Sequence, residues 1–150
     1  MADVFISYAS ADREVVARLA DALESSGLSV WWDRELSPGQ DFSAEIDREL
    51  NSAYCIVTAW SKNAAASQWV RDEATEAKNR GVLFPISIDG AQPPLGFRQI
   101  QTMYLKPLGD GRDHPEVEAF CAAIAQIVED ARRSRAKGRG EPARAAPAPL

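Results

Sequence analysis

Apolar and polar positions alternate along this chain with two periods. Val4-Phe5-Ile6-Ser7-Tyr8 is a short β-prone run and predicts a first strand. Val15, Leu19 and Leu23 then recur every four residues, which predicts a helix with one apolar stripe. Ser10 is placed to cap that helix, Asp12 and Glu14 suit its first turn, and Gly27 can end it in a left-handed turn. Leu28 to Trp32 predicts a second strand, and Phe42, Ile46 and Leu50 mark a second, shorter helix. Tyr54 to Ala59 predicts a third strand. Ser67 is positioned to cap a helix reaching about Arg80, where Gly81 stops it. Val82 to Ile88 predicts a fourth strand, Thr102 to Leu105 a weak fifth, and a last helix runs from about Pro115 to Ala131.

Strands alternating with helices predict an α/β domain, residues 1–131, with a parallel sheet covered on both faces. Pro85 lies inside the fourth strand and has no N–H to give a ladder, so it should occupy an edge, a bulge or a free position. Residues 132–150 are rich in Arg, Ala and Pro and cannot build a core, so they read as a disordered tail or linker. No internal repeat is visible.

Charge sharpens this division. Residues 1–130 carry 11 Lys+Arg and 21 Asp+Glu, a net −10, and residues 131–150 carry 6 and 1, a net +5. The acidic body should not attract nucleic acid through its field. The basic tail reads either as a solvated linker or as a strip that touches phosphates or acidic lipid. Cys55 and Cys121 each lie in an apolar stretch, which suggests buried, reduced thiols and a cytoplasmic address. No apolar run reaches the length of a membrane span, and the first residues lead directly into a strand-like run without a signal peptide.

Three segments carry a family resemblance. Asp3-Val4-Phe5-Ile6-Ser7-Tyr8-Ala9-Ser10 resembles the first conserved box of TIR (Toll/interleukin-1 receptor) domains. Trp32-Asp33-Arg34-Glu35-Leu36-Ser37-Pro38-Gly39-Gln40-Asp41-Phe42 resembles the second box, and Ser67-Gln68-Trp69-Val70-Arg71-Asp72-Glu73 is similar to the tryptophan-to-glutamate segment of NAD-cleaving members. The segments stand in family order, in bacterial style. Val70 replaces a cysteine common among relatives, and the Phe-Trp pair of the third box has no clear counterpart. The resemblance implies a flavodoxin-like fold whose five parallel strands run in order 2-1-3-4-5, with helices on both faces. It implies an NAD+ glycohydrolase or cyclase in bacterial antiviral defence signalling, activated by association with other TIR domains. NAD+ enters as substrate, and neither a cofactor nor a metal is implied.

The resemblance puts Glu73 in the catalytic position. Spacing alone leaves a surface acid beside a core tryptophan as the alternative. Trp69 and Glu73 are four apart, so on a helix they share a face, and an indole beside a carboxylate partly desolvates it. One carboxylate suffices for this chemistry. Ordinary glycoside hydrolysis needs a second to protonate the leaving group, whereas the nicotinamide of NAD+ is already cationic and departs neutral. What remains is stabilising an oxocarbenium-like ribose, and a fixed anion does that.

Ligands of open α/β sheets bind at the carboxyl ends of the strands, near the switch in strand order. That places Ser7, Tyr8 and Ala9 beside the substrate, with Tyr8 either stacking on a ring or forming a buried wall. Trp60, ending the third strand, falls on the same side, and the resemblance adds Trp69 as a substrate contact. Asp33, Arg34, Leu36 and Phe42 border the implied NAD+ cleft, and Phe42 also reads as the start of a core stripe. Glu35, Ser37, Pro38 and Gly39 form the implied assembly loop, with Pro38-Gly39 suited to a type II turn. A solvated connection is the plain alternative for this loop. Trp31 and Trp32 are adjacent on one strand and should face opposite sides.

His114 is the only histidine, so neither a Ser-His-Asp triad nor a His-rich metal site is available. The chain has no Walker loop, and Gly109-Asp110-Gly111 lacks the rest of a dinucleotide fingerprint. A phosphoacceptor receiver would need acidic residues where Ser7-Tyr8 and Ala59-Trp60 stand. The competing reading is a non-catalytic TIR–TIR interaction module.

Overall fold

Every residue of β1 (Val4–Ser7) and β3 (Cys55–Trp60) is buried, on both faces of the pleat. Strands of this kind are covered on two sides and read as continuous apolar runs. The computed structural model describes residues 2–32, 42–105 and 115–138. In it, β1 and β3 lie inside a five-stranded sheet of order β2-β1-β3-β4-β5, where β2 is Val30–Trp31, β4 is Leu83–Ser87 and β5 is Met103–Tyr104. All four pairings are parallel. The order is the one expected from the family resemblance.

Side-chain alternation along the strands builds two cores. Val4, Ile6, Cys55, Val57 and Ala59 face Leu19 and Leu23 of α1 (Arg13–Ser25) and Phe120, Ile124 and Val128 of α5 (Pro115–Gly138). Phe5 and Ile56 face the other way, toward Ile46 and Leu50 of α2 (Phe42–Ser52) and Ala77 of α4 (Gln68–Arg80). Burying one large apolar side chain in such a core contributes about 1.5–3 kcal/mol. The tryptophan pair divides by the same alternation. Trp31 stacks on Phe5 at 5.0 Å, and Trp32 lies 6.3 Å from Tyr8.

Pro85 stands in register with Thr58 of β3, inside an interior strand. Its position is nonetheless free of a donor requirement. Ile56 N donates to Val82 O and Ile88 N donates to Trp60 O, so even-numbered residues of this strand bond to β3. Leu105 N donates to Ser87 O, so odd-numbered residues bond toward β5. Pairing with β5 begins only at Ile86 opposite Met103, one residue beyond the proline.

Two expectations are corrected. Ser10 does not cap α1: a 3-10 turn, Ser10–Asp12, intervenes, and neither the turn nor α1 has a side-chain cap. The last helix does not end at Ala131, so the boundary expected at 131/132 falls inside α5. Its extension has tertiary partners, which composition alone does not reveal. The Arg132 guanidinium pairs with Asp3 at 2.6 Å, and that of Arg135 lies 4.1 Å from the centre of the Tyr54 ring. Residues 139–150 lie outside those described, as do His114 and Gly109 to Gly111.

Candidate active site at the carboxyl ends of β1 and β3

Ser7 is the last residue of β1 and shares the pleat face of Phe5, two positions earlier. It pairs in register with Thr58 of β3, so the two hydroxyl-bearing residues sit side by side on the face covered by α2 and α4.

The helix above them is well delimited. The Ser67 side chain accepts from Val70 N at 3.3 Å, and Gly81 closes α4 in the left-handed region at φ 73°. The buried residues of α4 are Val70, Glu73, Ala74 and Ala77, spaced as the inward stripe of an amphipathic helix. Glu73 thus occupies a position where an apolar residue is expected, at 4 % exposure. Burying a carboxylate is costly unless hydrogen bonds meet it. One does: Ser7 Oγ donates to Glu73 Oε1 at 2.6 Å, a length typical of hydroxyl–carboxylate bonds.

Buried polarity is concentrated at this end of the sheet. Among the described residues, the buried polar or charged ones are Asp3, Ser7, Thr58, Ser61, Glu73 and Ser87. All but Asp3 belong to the carboxyl ends of β1, β3 and β4 or to the α4 residue bonded there. Thr58 Oγ1 and Trp60 Nε1 are buried and have no hydrogen-bond partner among the described residues. The strand order reverses at β1, between β2 and β3, which is where open α/β sheets hold their ligands.

A polar brace fixes the rim. Ser61 Oγ donates to Asp12 Oδ2 at 2.5 Å and accepts from Ala64 N at 3.0 Å, capping the short helix α3 (Lys62–Ala65). Asn63 Nδ2 donates to the other Asp12 oxygen at 3.2 Å, and Lys62 N donates to Asp89 Oδ2 at 2.8 Å. The segment after β1 is thereby tied to the segment after β3. Sequence reasoning missed this brace and the Thr58 hydroxyl. Asp12 read only as a first-turn charge, and its partners lie some fifty residues away. Thr58 was legible from the alternation Ile56, Thr58, Trp60 on one strand face.

The remaining named residues separate. Ala9 is half-buried and packs against the cluster of Trp60, Ala64, Val70, Ala74 and Phe97. Trp60 is fully buried, its ring 5.1 Å from that of Phe97. Tyr8 is buried and belongs to the core on the α1/α5 side, the face opposite Ser7. Trp69 is 43 % exposed, so it is not the core filler that the alternative reading made of it. The desolvation of Glu73 follows from its own place in the buried stripe of α4. Asp33, Arg34, Glu35, Leu36, Ser37, Pro38, Gly39 and the side chain of Phe42 lie outside the described residues.

Comparison with known proteins agrees with the fold. The chain is 34% identical over 91 residues to the 2′ cyclic ADP-D-ribose synthase BtTIR of Bacteroides thetaiotaomicron, covering 56% of this chain and 32% of that one. It is 33% identical over 91 residues to the NAD(+) hydrolase TcpA of Theionarchaea archaeon (strain DG-70-1), covering 56% and 28%. The chain therefore spans about a third of the length of these relatives. Among solved structures, the TIR domain of a Toll-related receptor from Hydra magnipapillata superposes with a TM-score of 0.67 at 19% identity, covering 88% of this chain and 99% of that one. A metazoan TIR-STING receptor from C. gigas superposes at 0.66 and 22% identity, covering 85% and 39%. These two likenesses concern the fold alone. The TIR domain family itself matches residues 4–122, most of the chain, and with the parallel sheet and its carboxyl-end polar site this makes the chain a member of the TIR domain family.

Proposed function

We propose that this TIR domain is an NAD+ nucleosidase, and that Glu73 is the anion that holds the nicotinamide ribose. In the reaction the bond between ribose C1′ and the pyridinium nitrogen breaks, and its electron pair returns to the nitrogen, so nicotinamide leaves neutral. Water then adds to C1′ and gives up a proton, yielding ADP-ribose, or an internal nucleophile of the same molecule closes a cyclic isomer. No general acid is needed, so a single carboxylate is adequate machinery. The observation that carries this reading is the buried Glu73 carboxylate, anchored at the carboxyl end of β1 where the strand order reverses. It is supported by two relatives whose names describe NAD+ cleavage and cyclic ADP-ribose synthesis.

Self-association with other TIR domains belongs to the same proposal, as does a cytoplasmic setting, which suits the free thiols Cys55 and Cys121. No helix among the described residues is long and apolar enough to cross a membrane. The test is incubation of the chain with NAD+ across a range of protein concentrations, with products separated by chromatography. The expected result is nicotinamide release per molecule of protein that rises with concentration. Absence of release at every concentration, with or without fusion to an oligomerising partner, would refute the enzyme reading.

A further inference from the structure

A glutamate side chain has three rotatable bonds, so burial alone does not aim its carboxylate. Aim requires an oxygen held from a rigid element. Ser7 supplies that hold. Its backbone is in register with Thr58 in the sheet interior, its residue is fully buried, and its hydroxyl reaches Glu73 Oε1 at 2.6 Å across 66 residues of sequence. We infer that Ser7 is a positioning residue for Glu73: its hydroxyl fixes the orientation of the carboxylate that receives the ribose, and Ser7 itself need not touch substrate.

This inference rests on the proposed NAD+ nucleosidase reading and assigns Ser7 a role other than the substrate contact expected from its place at the carboxyl end of a strand. Two chemical facts favour it. A carboxylate offers about four lone-pair sites, and the bond from Ser7 takes up only one of them. A hydroxyl donating to a carboxylate favours its ionised form, the form an oxocarbenium-like ribose needs. Filling space next to Glu73 would require only an apolar residue. A donor that reaches one of its oxygens does more than fill space.

The test compares wild type, Ser7→Ala, Ser7→Thr and Glu73→Gln, each as the full chain at one high protein concentration. Two readouts are taken: steady-state nicotinamide release as a function of pH, and the side-chain carboxyl resonance of Glu73 titrated by carbon-13 NMR. For Ser7→Ala, kcat is expected to fall about 10- to 100-fold, the loss of one hydrogen bond to a charged group, with KM little changed. The acidic limb of its pH profile and the Glu73 titration midpoint should both move to higher pH. Ser7→Thr, which keeps the hydroxyl, should restore both. A Ser7→Ala variant with wild-type kcat, or with an unmoved midpoint, overturns the positioning role even if Glu73→Gln is inactive, and the nucleosidase reading then stands without it. A Glu73→Gln variant as active as wild type overturns the nucleosidase mechanism, and the inference falls with it.

Discussion

Replacing Thr58 with valine exchanges a hydroxyl for a methyl at almost constant shape, in a residue with no solvent exposure. The outcome depends on whether that hydroxyl is bonded in the folded protein. Thr58 Oγ1 has no partner among the described residues, and its in-register neighbours are Ser7 and Pro85. A buried hydroxyl left unpaired costs about 1–3 kcal/mol relative to water. Valine removes that cost and keeps the packing, so a net gain of about 1–2 kcal/mol is expected. For a domain of this length each kcal/mol moves the melting temperature by about 2–4 °C. Thermal unfolding followed by circular dichroism should therefore show Thr58→Val melting some 2–8 °C above wild type, by this conversion, with a higher urea midpoint at unchanged slope. A lower melting temperature would refute the reasoning. It would mean that the hydroxyl is bonded in the unliganded protein and that the floor beneath Glu73 is already satisfied.

Two further outcomes follow from groups away from this floor. Burial pushes the Asp3 carboxyl up, but the Ser29 backbone N–H and the Arg132 guanidinium outweigh it, and its pKa lies below the ordinary value. A pKa lower in the folded than in the unfolded state gives stability that is present above the unfolded value and is lost as pH falls through the folded one. Asp3→Asn should accordingly be less stable than wild type near neutral pH, and the urea midpoints of the two should converge under strongly acidic conditions; a gap independent of pH contradicts this. Burial pushes the Cys55 thiol up to about 12 and raises that of Cys121 as well. In mildly alkaline buffer Ellman's reagent should then label Cys55 no faster than the chain unfolds, and both cysteines should react at once in concentrated guanidinium. Rapid labelling of Cys55 in the native protein would contradict its place in the core.

Much of the fold could be read from local pattern, because local pattern is what sets it. The fully buried, largely apolar strands, the stripes of α1 and α2, the Ser67 cap and the Gly81 stop each depend on a few neighbouring residues. Parity along β1 and β3 also separates Phe5 and Ser7 from Val4 and Ile6. Features that depend on distant residues were not legible. The 3-10 turn before α1 displaces Ser10 from the cap, while Asp12 bonds Ser61 and Asn63. The basic segment after Ala131 reads as a tail, yet it stays helical through Gly138, and Asp3 and Tyr54 await its arginines. Within the candidate site, spacing joined Glu73 to Trp69, four residues away. The hydrogen bond that anchors the carboxylate comes instead from Ser7 in another element, and Trp69 stands partly in solvent. Spacing on one helix can say which residues share a face, but not what lies opposite that face.

The central claim is that one buried carboxylate enables the loss of nicotinamide from NAD+. It is tested most directly by Glu73→Gln, which keeps the size of the side chain and removes its charge. Nicotinamide release should fall by at least about 100-fold, the scale of losing a preorganised electrostatic group, while circular dichroism and the melting temperature show a folded domain. Turnover equal to wild type from a folded Glu73→Gln protein would contradict the account.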